Sequence, residues 1–129
     1  MSGEFLIDTN ALIKLMGRDP SLRWHMGHDF RCFLSFISVG ELFAGAHLSA
    51  RRAFNAAEIR RVCAEIPVVE WDFEIADEYG RIQSVLRTKG RPIPQNDIWI
   101  AATAVRHGMT LITLDRHFEY VEGLPTEIW

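Results

Sequence analysis

Four acidic residues stand where a protein of alternating strands and helices would place its chemistry. Asp8 closes the apolar run "EFLID", Glu41 lies in "SVGELFAGA", Asp97 in "RPIPQNDIWIAATAVRHG", and Asp115 ends "MTLITLD". They are far apart along the chain, so only folding can unite them. Asp97 shares a helical face with Ile100, Ala101 and Ala104 at +3, +4 and +7, which turns its carboxylate partly toward the core. Carboxylates gathered at one place repel each other, and some take up protons unless a cation intervenes. Mg²⁺ and Mn²⁺ prefer oxygen ligands, and Mg²⁺ usually binds one or two carboxylates while keeping several waters. The chemistry open to such a site is attack of a metal-activated water on a phosphodiester, with the leaving oxygen stabilised by the same or a second ion.

Each acid also has a simpler reading. Glu41 completes Ser38-x-x-Glu41, a capping box with Ser38 as the cap and Glu41 in the first turn. Asp97 is a first-turn acid favoured by the helix dipole, with Asn96 or Asp97 itself as the cap. Asp8 in "DTN" and Asp115 in "DRH" can serve as turn or cap residues. What favours a site is the conjunction: all four fall at strand ends or helix starts, beside apolar residues that resist burial of unpaired carboxylates.

The elements that would position them follow from periodicity. "EFLID", "RCFLSFIS", "IPVVEW" and "MTLITLD" read as four strands. Helical patterns begin at "TNALIKLM" and "VGELFAGA" and cover residues 50–64. The longest is "DFEIADEYGRIQSVLRTKG", with Gly90 just past its end, followed by residues 91–108 stopped by Gly108. Strands alternating with helices indicate an α/β domain with a central, mostly parallel sheet and helices on both faces. Unbroken apolar strands agree with a sheet covered on both sides. Ligands of open parallel sheets bind beyond the carboxyl ends of the strands, where these acids fall. Helix N-termini near Thr9 and Asn96 would offer donors to a phosphate.

The chain has 129 residues, 48% of them hydrophobic and 24% charged, which suits one domain over residues 1–129. No apolar run approaches the roughly 20 residues of a membrane span. "MSGEFLIDTN" lacks the basic region of a secretory signal, so a cytoplasmic location is expected. Cys32 and Cys63 are then expected as buried, reduced thiols. The net charge of −3 argues against binding long nucleic acid by bulk charge, but permits a local basic rim around an acidic centre.

"LIDTNALI", "SVGELFAG", "NDIWIAATAVRHG" and "LITLDRHF" together resemble the four signature segments of PIN-domain ribonucleases, most closely the VapC toxins of bacterial toxin–antitoxin pairs. The match covers nearly the whole chain in order. The resemblance implies a PIN-like three-layer domain and a Mg²⁺- or Mn²⁺-dependent endoribonuclease. Asp8, Glu41, Asp97 and Asp115 would then hold the metal and carry catalysis, with Thr9, Asn10 and Thr113 in support. It also implies an RNA substrate, a cognate antitoxin and a homodimer. "SLRWHMGHDFRC" is less typical of the family.

Among other features, Arg81, Arg87, Lys89 and Arg91 lead toward Asp97 and are candidates for an RNA-binding rim. Arg51, Arg52, Arg60 and Arg61 suit either RNA phosphates or a solvated helix face. His25 and His28 form H-x-x-H without further zinc-like spacing, which favours a surface segment over a metal pair. His117 suits a turn anchor better than a catalytic acid. Trp71 and Trp99 are expected to pack, although the four tryptophans Trp24, Trp71, Trp99 and Trp129 can also stack on bases. Two rival functions stand beside the nuclease. One is a PIN-like module that grips RNA or an antitoxin without cutting. The other is a Mg²⁺-dependent phosphoacceptor signalling domain, which would show paired acids after the first strand and a lysine after the last; "LIDTN" and "LDRHF" show neither.

Overall fold

A computed structural model of the chain describes residues 3–17 and 31–128. His25, His28, Trp24 and Trp129 lie outside the described residues. Five parallel strands, β1 (Glu4–Ile7), β2 (Arg31–Ser35), β3 (Val68–Val69), β4 (Thr110–Thr113) and β5 (Thr126–Ile128), form one sheet in the order β3-β2-β1-β4-β5. The helices are α1 (Thr9–Met16), α2 (Phe36–Leu48), α3 (Arg52–Glu65), α4 (Phe73–Lys89) and α5 (Gln95–His107), with a 3₁₀ turn at Arg116–Tyr120.

Consecutive residues of β1 explain why its run is unbroken. Leu6 packs with Leu111 against α4 and α5, whereas Ile7 packs with Leu34 and Ile112 against α1, α2 and α3. Successive side chains of a strand point to opposite faces, and here both faces are covered. The expected three layers are therefore present. β1 sits at the centre, with β2 and β3 on one side and β4 and β5 on the other. The chain reverses its direction of growth there, so the crevice beyond the carboxyl ends opens next to Asp8.

Local boundaries depart from the sequence reading in instructive ways. β2 stops at Ser35, because Ser35 caps α2 by accepting the Ser38 N–H at 2.9 Å. Phe36 and Ile37 thus belong to the helix rather than the strand, Ser38 is not the cap, and Glu41 falls in the second turn. β3 is only Val68–Val69 of "IPVVEW", both half-buried. β5 carries no unbroken apolar run, being held by its ladder to β4 rather than by an apolar pattern. At α5 the cap position is Pro94, with no side-chain cap hydrogen bond. Asn96 and Asp97 therefore do not cap the helix, though Asp97 does lie in its first turn.

α4 ends at Gly90, whose backbone is left-handed at φ 66°. An alanine Cβ there would meet open space, so strain alone sets the penalty. Gly90→Ala is expected to cost about 1–2 kcal/mol of unfolding free energy in urea titration; an unchanged midpoint would contradict this.

Candidate active site

β1 delivers Asp8 to the crevice, where the carboxylate is 4% exposed. It caps α1, with Oδ1 accepting the Thr9 N–H at 2.7 Å. Oδ2 accepts the hydroxyl of Thr113 at 2.8 Å. Thr113 ends β4 and is fully buried, and its Oγ1 also accepts the Asp115 N–H at 3.0 Å. One hydroxyl thus ties the acids of two neighbouring strands together. The Thr9 N–H is committed to Asp8, so the start of α1 is not the free phosphate donor that its sequence suggests.

Glu41 reaches the same place from α2. Its Oε1 accepts the Thr9 hydroxyl at 2.7 Å, and Thr9 Oγ1 lies 2.9 Å from Ser38 Oγ. A hydroxyl has one proton to give. With that of Thr9 on the carboxylate, Ser38 donates to Thr9, and Ser35 donates to Ser38 at 3.1 Å. Ser35 and Ser38 are buried, so this chain satisfies groups that would be costly to bury alone. Sequence reasoning missed both serines as site supports. The available signal was the S-x-x-S spacing at the end of an apolar run.

Asp97 approaches from α5 and Asp115 from the end of β4, and His117 stands between them. His117 Nε2 lies 2.8 Å from Asp97 Oδ2, and Nδ1 lies 2.9 Å from Asp115 Oδ1. Asp115 Oδ1 also caps the 3₁₀ turn by accepting the His117 N–H at 3.1 Å. His117 does anchor this turn, and it bridges two acids besides.

The electrostatics fit four carboxylates held against their mutual repulsion. Burial raises the pKa of Asp8 above the ordinary carboxylate value, and the charges of Glu41 and Asp115 add to this. Hydrogen bonds from Thr113 and Thr9 oppose the rise. Asp97 is also raised, first by burial and then by the charge of Asp8, with His117 opposing and Glu41 adding. Among the described residues no three His, Cys, Asp or Glu side chains converge closely enough to cage an ion by themselves. The donor set still fits a hard divalent cation: it is rich in carboxylate oxygen and deficient in positive charge.

The remaining candidates are placed less centrally. Asn10 is exposed on the first turn of α1. Arg81 pairs with Glu78 and Lys89 with Glu122. Arg91 lies 4.9 Å from the ring centre of Tyr120, and Arg87 is exposed near the end of α4. Two of the four rim cations are thus already ion-paired, and a third sits over an aromatic ring. Cys32 and Cys63 are free and half-buried, and burial pushes the Cys32 thiol up to about 11.

A family model described as the PIN domain matches residues 5–124. The chain is 32% identical over 130 aligned residues to the tRNA(fMet)-specific endonuclease VapC of Shigella flexneri, covering 98% of each. The structure of VapBC-1 from nontypeable Haemophilus influenzae aligns with a TM-score of 0.91 at 29% identity, covering 98% of both chains. That of DNA-bound VapBC from Salmonella typhimurium gives 0.89 at 28%, with the same coverage. Matched along almost its full length by model, sequence and fold, the chain belongs to the PIN-domain family and, within it, to the VapC ribonucleases.

Proposed function

We propose that the chain, acting as one domain over residues 1–129, is a Mg²⁺- or Mn²⁺-dependent endoribonuclease and the toxin of a toxin–antitoxin pair. What supports this reading is that, at the carboxyl edge of the sheet beside its topological switch point, Asp8 feels the charges of Glu41 and Asp115, and Asp97 those of Asp8 and Glu41. Asp8, Glu41, Asp97 and Asp115 would hold the cation. A divalent ion there supplies Lewis-acid polarisation of the phosphate and a water activated at neutral pH.

The chain's own residues do the positioning. Thr113 and the Thr9 N–H fix both oxygens of Asp8, and the Ser35–Ser38–Thr9 hydroxyls aim Glu41. His117 holds Asp97 and Asp115 on either side of its ring. Asn10 is exposed on the first turn of α1, and Arg87 and Arg91 offer exposed cations to the RNA backbone, with Arg81 and Lys89 shared between RNA and their acidic partners.

An antitoxin completes this reading, in line with the VapBC assemblies among the structural relatives, and a second subunit is part of the same proposal. A groove of about 500 Å³ between α1, α2 and α3 suits the antitoxin, since Ile13 and Phe54 are exposed there and Glu41 stands in its lining. The test is direct. Purified protein is incubated with total cellular RNA in Mg²⁺ or Mn²⁺, with chelator as control. Discrete cleavage products that vanish with chelator are expected. RNA retention without cleavage would replace this reading with the non-cutting module.

A further inference from the structure

Among the described residues four guanidinium groups lie over aromatic rings, and one of these pairs stands apart by its position. Arg31 over Phe33 belongs to the start of β2, at the amino end of the sheet. Arg51 over Phe54 and Arg60 over Phe43 lie around α2 and α3. Arg91, 4.9 Å from the ring centre of Tyr120, instead joins two connections at the carboxyl edge. Arg91 lies in the one that leads into α5 and Asp97, and Tyr120 in the one that leaves β4 through Asp115.

The backbone is fixed on both sides of this pair. The Arg91 N–H donates to the Leu86 carbonyl at 2.9 Å, the bond that closes α4 beyond Gly90. Pro92 and Pro94 then set their own φ, and Ile93 between them is buried. On the other side, buried Phe118 pins the 3₁₀ turn and buried Val121 follows it. Side chains at i and i+3 of such a turn eclipse, so Tyr120 stands on the side of His117, whose ring bridges Asp97 and Asp115. At about 2 Å of rise per residue, its backbone lies roughly 6 Å along the turn from that of His117. Tyr120 is nevertheless 43% exposed.

The neighbouring cations differ from Arg91. Arg81 and Lys89 already face Glu78 and Glu122, whereas Arg91 has no carboxylate partner among the described residues. A ring beneath a guanidinium orders it without neutralising it, and leaves free the fork of N–H donors that matches a phosphate. RNA approaching four carboxylates is repelled, and an ordered positive charge beside them offsets that repulsion where the backbone must pass.

We propose that Arg91, braced on Tyr120, takes an RNA phosphate adjacent to the scissile one, so that the bound strand leaves the acids over the 3₁₀ turn toward β5. This rests on the ribonuclease reading, and it makes Tyr120 the residue that orders the cation. The rival role for the pair is a latch between the two connections, without contact to RNA.

RNA binding is measured in chelator with the full chain, so the result does not depend on cleavage. The probe is a fluorescein-labelled single-stranded RNA dodecamer, titrated between about 50 and 200 mM salt. Arg91→Gln is expected to weaken binding about fivefold at low salt, the upper end for an exposed ion pair. It should also reduce the slope of log affinity against log salt by about 0.7, the share of one single-strand phosphate. Tyr120→Leu keeps every charge; it should weaken binding about threefold in the parent and not at all beside Arg91→Gln. Tyr120→Phe should bind like the parent. An unchanged salt slope in Arg91→Gln would overturn the proposal. So would an equal loss from Tyr120→Leu in both backgrounds, since the ring would then meet RNA by itself. A lowered Tm in both variants with RNA affinity intact would overturn it in favour of the latch. A parent chain that binds in the expected pattern yet cuts no RNA in Mg²⁺ or Mn²⁺ would remove the ribonuclease reading and leave the phosphate contact standing.

Discussion

Asp97→Asn is expected to lower RNA cleavage on the order of 10³-fold with divalent ion present while leaving the protein folded. The activity loss follows from what the carboxylate contributes. Polarisation of a phosphate and generation of a nucleophile by a bound ion supply several kcal/mol to the transition state, and an amide neither carries the charge nor holds the ion as firmly. The fold survives for an independent reason. Burial and the Asp8 charge already disfavour ionised Asp97, so a neutral isostere relieves repulsion. Against that stands the lost interaction of a first-turn acid with the helix dipole, about 0.3–1 kcal/mol. Net stability should stay within about 1 kcal/mol. Single-turnover cleavage beside a thermal melt in chelator measures both. Asp77→Asn, which removes an exposed acid from α4, is the control and should cleave like the parent. Parent-rate cleavage by Asp97→Asn in Mg²⁺ would sink the site assignment.

The same residue shows how far the sequence is legible. Ile100, Ala101 and Ala104 are buried as their spacing from Asp97 predicts, because a 3.6-residue period needs only one covered face to declare itself. The ends of β1 and β4 are legible for a similar reason, since each apolar run stops close to its acid: Asp8 follows Ile7 directly, and Asp115 lies two residues past Thr113. Cap chemistry is less so. "LSFIS" offers two serines with almost equal local credentials, and Ser35 wins because it leaves Ser38 free to join the Thr9–Glu41 chain across 29 residues of sequence. No local pattern encodes that.

His117 lies at the same limit. "LDRHF" suggests a turn anchor, and the anchor is present. Its second contact, with Asp97, depends on α5 crossing the carboxyl end of β4, which is a property of the packed layers. β5 was invisible for another reason. "TEI" has neither length nor unbroken apolarity, and it becomes a strand only because Leu111, Ile112 and Thr113 present it with a ladder. The support network and the sheet edge are tertiary; the acids and the two-faced core are local.

The contribution of Asp8 and Asp97 to the stability of the chelated protein should fall as pH rises above the ordinary carboxylate value of 3.8, and divalent ion should reverse that fall. Asp8 and Asp97 have raised pKa values in the folded chain, so the native state binds more protons than the unfolded state between 3.8 and those raised values. Under linkage, stability then decreases with pH across that window. Their contribution is fully present below 3.8 and lost as pH passes through the folded values. Asp72 and Glu122, with lowered pKa values, push the other way, so the parent curve alone mixes both signs. The difference between parent and Asp97→Asn isolates the site and should show the variant less sensitive to rising pH. A cation that binds only the folded, ionised site adds about 2.7 kcal/mol at a hundred times its Kd, a rise on the order of 10 °C in Tm for a chain of this size. That gain should be larger near neutrality than at pH 4, because Asp8 and Asp97 take up protons as pH falls, and it should shrink in Asp97→Asn. Thermal melts with and without Mg²⁺ at several pH values decide it. An equal Mg²⁺ effect at pH 4 and pH 7 would mean that the ion binds somewhere other than these carboxylates.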